Sequence, residues 1–274
     1  MNDEQLLQLA INLAQEAGEL ILRRRQEGVT VADTKSSLVD VVTAADQECE
    51  DLLRQRLAEL RPEDGFYGEE GDPTESHSGI TWVVDPIDGT VNYLYGLQHY
   101  AVSIAAVAGD PAADPAEFET IAGVVFAPAL GELFAARRGG GATLNGEAID
   151  TGKGPADLDR TLVATGFAYS AARRKLQAQV WLGLADQVRD VRRNGAAAID
   201  LCSVACGRVD GYYEFGLKPW DWAAGALIAR EAGAQVVGTS TQVKESRVML
   251  LAGHRQITGD LHRIVIESTP GDLL

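Results

Sequence analysis

The run W-V-V-D-P-I-D-G-T, residues 82–90, constrains this chain more than any other stretch. Trp82-Val83-Val84 reads as a buried-type strand, which sets Asp85 at its C-terminal end, the edge where open α/β sheets place their ligands. Pro86 then fixes a turn. Asp88, three residues after Asp85, can curl back toward it, and the bend leaves the Ile87 carbonyl free to face inward. Two carboxylates and a carbonyl are hard oxygen donors that suit Mg²⁺ and leave positions for water and a substrate phosphate. Gly89-Thr90 follows as a helix N-terminus, where backbone N–H groups favour an anion and the Thr90 hydroxyl is placed to orient a water. Read alone, D-x-x-D-G-T is also an Asp-rich turn.

The pattern around this run is mixed α/β. Apolar residues from Leu6 to Ile21 recur at helical spacing and predict a helix over 3–27. A polar, turn-rich stretch over 28–40 contains Lys35-Ser36-Ser37, and a second helix runs from Thr43, its N-cap, to about Leu60. Glycine-bounded apolar runs predict strands at 66–67, 81–84, 101–108, 121–127 and 132–136, with Asn145-Gly146 as a hairpin turn. Residues 109–119 form an exposed loop and 152–155 a linker. Strands follow at 161–165, 209–215, 234–237 and 247–251, and helices at 171–187, 196–206, 221–232 and 256–267. The expectation is a single domain, 1–274, with an N-terminal half (1–150) carrying the metal and phosphate motifs and a C-terminal half (151–274) carrying substrate-side residues.

Further acids stand at ends of elements. Glu69-Glu70 closes a short strand and would supply a second strand-end acid to a shared metal site; otherwise it is a solvated loop. Asp46, three residues after Thr43, fits a capping-box variant equally well. Asp221 in K-P-W-D-W-A-A-G opens a helix, where the dipole favours an acid whatever its role. Glu214 in Y-Y-E-F-G ends a strand.

Composition excludes several classes. The chain has 274 residues and a net charge of −16, with 40 acids against 24 Lys and Arg. That balance argues against nucleic acid and anionic lipid, whose binding depends on basic residues. A phosphorylated substrate meets the same repulsion unless metal ions intervene. No window reaches the ~20 apolar residues of a membrane span, and no secretion signal precedes the first helix, so a cytoplasmic location is expected. Three cysteines form no disulfide framework; Cys202 and Cys206 lack partners for a zinc site and read as small buried hydrophobes. The four histidines, at 77, 99, 254 and 262, form no cluster.

Taken together, K-S-S-L-V-D-V-V-T-A-A-D, G-E-E, W-V-V-D-P-I-D-G-T-V-N-Y and W-D-W-A-A-G resemble the inositol monophosphatase family over roughly 35–233. The resemblance implies a layered αβαβα sandwich of the kind shared with fructose-1,6-bisphosphatase. It implies one metal held by Glu69, Asp85 and the Ile87 carbonyl, and a second by Asp85, Asp88 and Asp221. A third, weaker ion would bind at Glu69 near the loop bearing Lys35. The cofactor is then two to three Mg²⁺, with Mn²⁺ as a possible substitute, and lithium inhibits.

In the same implied scheme Glu69, Asp46 and Thr90 are catalytic, with Thr90 and Asp46 orienting or deprotonating the nucleophilic water. The Gly89 and Thr90 amides hold the phosphate, and Asp88, Gly195, Ala197 and Glu214 contact the alcohol. Ala196 stands where the family commonly carries Thr or Ser, so one hydroxyl contact is missing. The expected function is hydrolysis of inositol monophosphate or a similar polyol phosphate by a homodimer. The alternatives are a relative acting on histidinol phosphate, fructose 1,6-bisphosphate or adenosine 3′,5′-bisphosphate, and a non-catalytic regulatory or RNA-processing partner of the same fold.

Overall fold

The computed structural model describes residues 2–29, 31–34, 41–113, 115–241 and 248–274. The N-terminal elements are α1 (Asp3–Glu27), β1 (Val31–Thr34), β2 (Val41–Thr43), α2 (Ala44–Leu60), β3 (Gly65–Gly68), β4 (Ile80–Asp88) and α3 (Thr90–Tyr95). Strands β5 (Ala101–Ala108), β6 (Glu119–Ala127), β7 (Glu132–Arg137), β8 (Ala142–Leu144) and β9 (Glu147–Ile149) follow. The remainder comprises β10 (Leu162–Thr165), α4 (Ala171–Leu184), β11 (Asp190–Arg192), α5 (Ala197–Ala205), β12 (Gly211–Phe215), α6 (Pro219–Glu231), β13 (Gln235–Val237), β14 (Met249–Gly253) and α7 (Thr258–Glu267).

Strands β3 to β9 form one sheet in sequence order, and a second runs β11-β10-β12-β14-β13. Side-chain alternation explains the stacking, because successive residues of a strand face opposite sides of its sheet. Val102, Ile104 and Ala106 of β5 join Leu13, Ala17 and Ile21 of α1 and Leu53 of α2 in one core. The intervening Ala101, Ala105 and Val107 join Ala198 and Leu201 of α5 and Ala224 and Ile228 of α6 in another. Tyr212 of β12 and Leu250 of β14 close that middle core from the second sheet. Their neighbours Tyr213 and Leu251 turn outward onto Val180 of α4 and Leu261 of α7. The result is the αβαβα sandwich implied by the resemblance, with three cores between five layers. All nine residues of α5 are buried, as a helix sandwiched between two sheets requires.

The structure departs from the sequence reading in places with physical causes. The strand containing Trp82 does not end at Asp85: β4 runs on to Asp88, with a register shift between these two residues opposite β5. The shift accommodates Pro86, which cannot donate to a ladder. Helix α6 opens at Pro219 rather than Asp221, because proline's fixed φ and missing N–H suit the first helical position. The polar stretch after α1 contains β1, which pairs antiparallel with β2, and β11 is an edge strand of Asp-Val-Arg; β1 and β11 carry only Val31-Ala32 and Val191 as apolar residues, short of a strand pattern. Asn145 (φ 52°) and Gly146 (φ 85°) form the turn between β8 and β9, as their pairing predicted. Cys49 and Cys202 are buried and Cys206 half-buried, all three unbridged. Among the described residues no helix is long and apolar enough to cross a membrane.

Candidate active site

The register shift in β4 creates the geometry at the centre of the site. Asp85 pairs with Ser103 and Asp88 with Ala101, so three steps along β4 match two along β5. In a regular strand residues three apart face opposite sides; one extra residue resets the alternation and turns both carboxylates to the same side. That side is the middle layer, since Ala101 belongs to its core and the Ser103 hydroxyl donates to the Trp220 carbonyl of α6 at 3.2 Å. Asp221, the third residue of α6, stands on this layer and accepts from the Lys218 N–H at 2.6 Å. Glu69 follows directly on β3, the parallel neighbour of β4. The second sheet contributes Glu214 from β12.

Asp88 reaches across to α5. Its Oδ1 accepts the Ala197 N–H at 3.1 Å and its Oδ2 the Ala198 N–H at 2.7 Å. Ala196 is the N-cap of that helix and makes no side-chain cap bond, so Asp88 caps α5 from another strand. The Ala197 N–H is therefore engaged by Asp88. Gly89 has φ +92°, and a Cβ there would lie 2.8 Å from the His99 carbonyl oxygen and 3.2 Å from the Ala196 Cβ. Only glycine allows β4, α3 and the 195–196 turn to approach this closely.

Beneath them, Asp46 is buried at the start of α2. Its Oδ2 accepts from the Thr43 N–H at 2.8 Å and the Thr43 hydroxyl at 2.5 Å. Its Oδ1 lies 3.2 Å from the Thr90 hydroxyl, which is also 3.1 Å from the Ile87 carbonyl oxygen. Asp46 thus completes a capping box and touches Thr90 at once. One turn along α2, Glu50 accepts the Glu70 N–H at 2.8 Å and Arg54 at 2.9 Å, tying down the chain just after Glu69. Glu50 was absent from the sequence reading, although its i,i+4 spacing from Asp46 puts both on one helix face.

Asn92 was also missed. Its amide donates to the His99 and Asn194 carbonyls, each at 2.7 Å, and the Asn194 amide donates to buried Asp200 at 2.6 Å. This relay holds Gly195, whose φ of +88° makes the turn into α5. Glu214 has one oxygen fixed by the Tyr212 hydroxyl at 2.7 Å.

A cavity of about 740 Å³ opens over this floor, lined by Glu69, Asp88, Gly89, Gly195, Ala197, Glu214 and Asp221, among others. Asp46, Asp85, Ile87 and Thr90 do not border it. Lys35 lies outside the described residues. Among the described residues no group of three or more His, Cys, Asp or Glu is already gathered into a metal-ligating cluster. The electrostatics nevertheless fits a cation. Asp85 is pushed well above the usual carboxylate range by burial, then by Glu69, Asp88 and Asp221. Burial, followed by Glu69, likewise raises Asp221. Burial also pushes Asp88 up to about 7, against its two N–H donors, and Asp46 up to about 6. Buried like charges of this kind call for protons or a divalent ion, and oxygen donors select a hard one.

Comparison with known proteins agrees with this architecture. The model of the inositol monophosphatase family matches residues 2–269. Inositol-1-monophosphatase SuhB of Mycobacterium tuberculosis (strain ATCC 25618 / H37Rv) is 43% identical over 273 residues, covering 93% of this chain and 91% of that protein. Nus factor SuhB of Escherichia coli (strain K12) is 38% identical over 237 residues, covering 84% of each. The solved structure of Mycobacterium tuberculosis SuhB superposes with a TM-score of 0.80 at 40% identity, covering 97% of this chain and 98% of that one. A Thermotoga maritima IMPase structure reaches 0.85 at 28% identity, with 96% and 98% covered.

Proposed function

The chain belongs to the inositol monophosphatase family, and on that premise we propose that it is a Mg²⁺-dependent phosphomonoesterase acting on inositol monophosphate or a similar polyol or sugar phosphate. The observation that carries this reading is the convergence of Asp85 and Asp88, turned to one side of β4 by the register shift, with Asp221 of α6 and Glu69 after β3 on the same layer, where Glu69, Asp88 and Asp221 line one cavity. In this reading Glu69, Asp85 and the Ile87 carbonyl would hold one ion, and Asp85, Asp88 and Asp221 a second. A third, weaker ion would bind at Glu69, and Mn²⁺ would substitute for Mg²⁺. When bound, the ions neutralise phosphoryl charge and acidify a coordinated water.

The protein's own groups do the rest. The Thr90 hydroxyl, between Asp46 and the Ile87 carbonyl, orients the attacking water. Asp46, raised by burial to about 6, accepts a proton near neutral pH. The Gly89 and Thr90 amides hold the phosphate at the start of α3. Glu214, with one oxygen occupied by Tyr212, offers the other to a substrate hydroxyl. The test is phosphate release with Mg²⁺ from inositol phosphates, fructose 1,6-bisphosphate, histidinol phosphate and adenosine 3′,5′-bisphosphate. Release from at least one supports the reading; release from none ends it.

The relatives named Nus factor SuhB favour a second reading, a regulatory protein of the same fold. With a net charge of −16, such a role would run through protein contacts rather than direct binding of nucleic acid. Capture of one defined partner from lysate by an Asp85→Asn protein, alongside a wild type that releases no phosphate, would replace the enzyme reading.

A further inference from the structure

Strand β10 runs parallel to β12 in a register that sets Ala164 beside Tyr212 and Thr165 beside Tyr213. One step further along both chains, Gly166 comes beside Glu214. Ala164 and Tyr212 face the middle core. Two residues on, Gly166 and Glu214 face the same way, into the catalytic cavity that both line.

Glu214 occupies the space that a side chain at residue 166 would take. A Cβ on Gly166 would lie 1.9 Å from Glu214 Oε2, 2.2 Å from its Cδ and 2.4 Å from Oε1, and these are the three atoms nearest to it. The fully buried Tyr212 donates its hydroxyl to the same Oε2 at 2.7 Å. Oε2 is thus held between a phenol and the Gly166 backbone, while Oε1 makes no hydrogen bond among the described residues. Backbone geometry does not call for glycine at this position. The φ of Gly166 lies outside the left-handed region, unlike those of Gly89 and Gly195. What requires glycine is the Glu214 carboxylate alone.

We propose that Gly166 is a positioning residue that sets the alcohol specificity of the site. Its missing side chain lets Glu214 lie back against the end of β10, with Oε1 presented to a hydroxyl of a polyol. This rests on the phosphatase reading and on the place that reading gives Glu214. On the other side of Glu214 stands buried Leu250 of β14, paired with it in register. A side chain at residue 166 therefore drives the carboxylate off Tyr212 and into the cavity, where it takes the room of the alcohol and misplaces the acceptor. The displaced atoms are the far end of a flexible side chain, so the protein still folds, and what changes is the alcohol that fits.

The test uses the Mg²⁺-loaded protein and two inert ligands, an inositol phosphonate in which a C–P bond replaces the scissile ester, and ethylphosphonate, which carries no hydroxyl on its alkyl group. In calorimetric titration Gly166→Ala should weaken the inositol phosphonate at least about tenfold, the scale of one hydrogen bond to a charged group, and ethylphosphonate less than about threefold. In a Glu214→Ala background the same substitution should weaken the inositol phosphonate less than about threefold, because no carboxylate is left to displace. Should Gly166→Ala alone fail to fold, the double variant should fold, and a double variant equally unfolded would overturn the assignment. So would wild-type affinity in Gly166→Ala, an equal loss for both ligands, or the same loss with and without Glu214. A wild type that binds neither phosphonate and releases no phosphate from inositol monophosphate would instead bring down the phosphatase reading, and the proposal with it.

Discussion

Asp46 divides its carboxylate between two tasks, with Oδ2 taking the Thr43 N–H at 2.8 Å and Oδ1 lying 3.2 Å from the Thr90 hydroxyl. A helix cap therefore doubles as the support of the Thr90 hydroxyl, the group that the proposed reaction assigns to the attacking water. The two tasks separate by mutation. Thr90→Val removes the hydroxyl and leaves the cap, so kcat should fall by roughly 10²–10⁴ with little change in stability. Asp46→Ala should show a comparable kcat loss together with about 1 kcal/mol of lost stability. Equal activity in Thr90→Val and wild type would remove Thr90 from the mechanism.

Asp88 ties β4 of the first sheet to α5 by capping that helix, which gives its substitution a structural signature. Asn keeps one acceptor but turns an NH₂ toward the other backbone N–H. Asp88→Asn should thus fold, lose about 1–3 kcal/mol in denaturant titration, bind Mg²⁺ more weakly and lose turnover. Undiminished turnover would sink the assignment of Asp88 to the metal site.

Gly89 leaves no room for a side chain at φ +92°, with the His99 carbonyl 2.8 Å from any Cβ. Gly89→Ala should cost at least about 2 kcal/mol, since left-handed strain alone is worth about 1–2 kcal/mol, and activity should fall with it. A melting temperature equal to wild type would show that this close approach does not exist in solution.

The carboxylates also set a pH dependence. Burial holds Asp88 near 7 and Asp46 near 6 in the folded protein, against about 3.9 unfolded. An acid whose folded pKa is raised binds more protons folded than unfolded between the two values. Stability of the metal-free protein should therefore fall as pH rises from about 4 toward 7. On the proposed metal assignment Mg²⁺ would compete with those protons, so its stabilising effect should be larger at pH 8 than at pH 6. Thermal melts at the two pH values, with and without Mg²⁺, check both signs, and a metal effect larger at pH 6 would contradict the assignment.

Much of this architecture was legible in the sequence, for identifiable reasons. Helix α1 announced itself by period, β5 by a buried apolar run, and the β8–β9 turn by Asn-Gly. The W-V-V-D-P-I-D-G-T run located the centre of the site but not its mechanism of assembly. Proline suggested that the strand stopped at Asp85, whereas a register shift lets it continue and turns Asp88 to the same face. That shift depends on pairing with β5, which no local pattern encodes. Asn92 and Glu50 escaped notice for a similar reason. Their partners, the Asn194 carbonyl and the Glu70 N–H, are backbone groups placed by tertiary packing. β1, β2 and β11 are only three or four residues long, and pairing with a partner strand makes them strands.

The most direct test of the central claim is a Mg²⁺ titration of phosphate release from inositol monophosphate, carried out on the wild type and on Asp85→Asn. The wild-type rate should rise from near zero with added Mg²⁺, saturate, and return to zero with excess chelator, while Asp85→Asn stays near zero throughout. A wild-type rate indifferent to Mg²⁺ and chelator, or an Asp85→Asn protein that follows the wild-type curve, would contradict it.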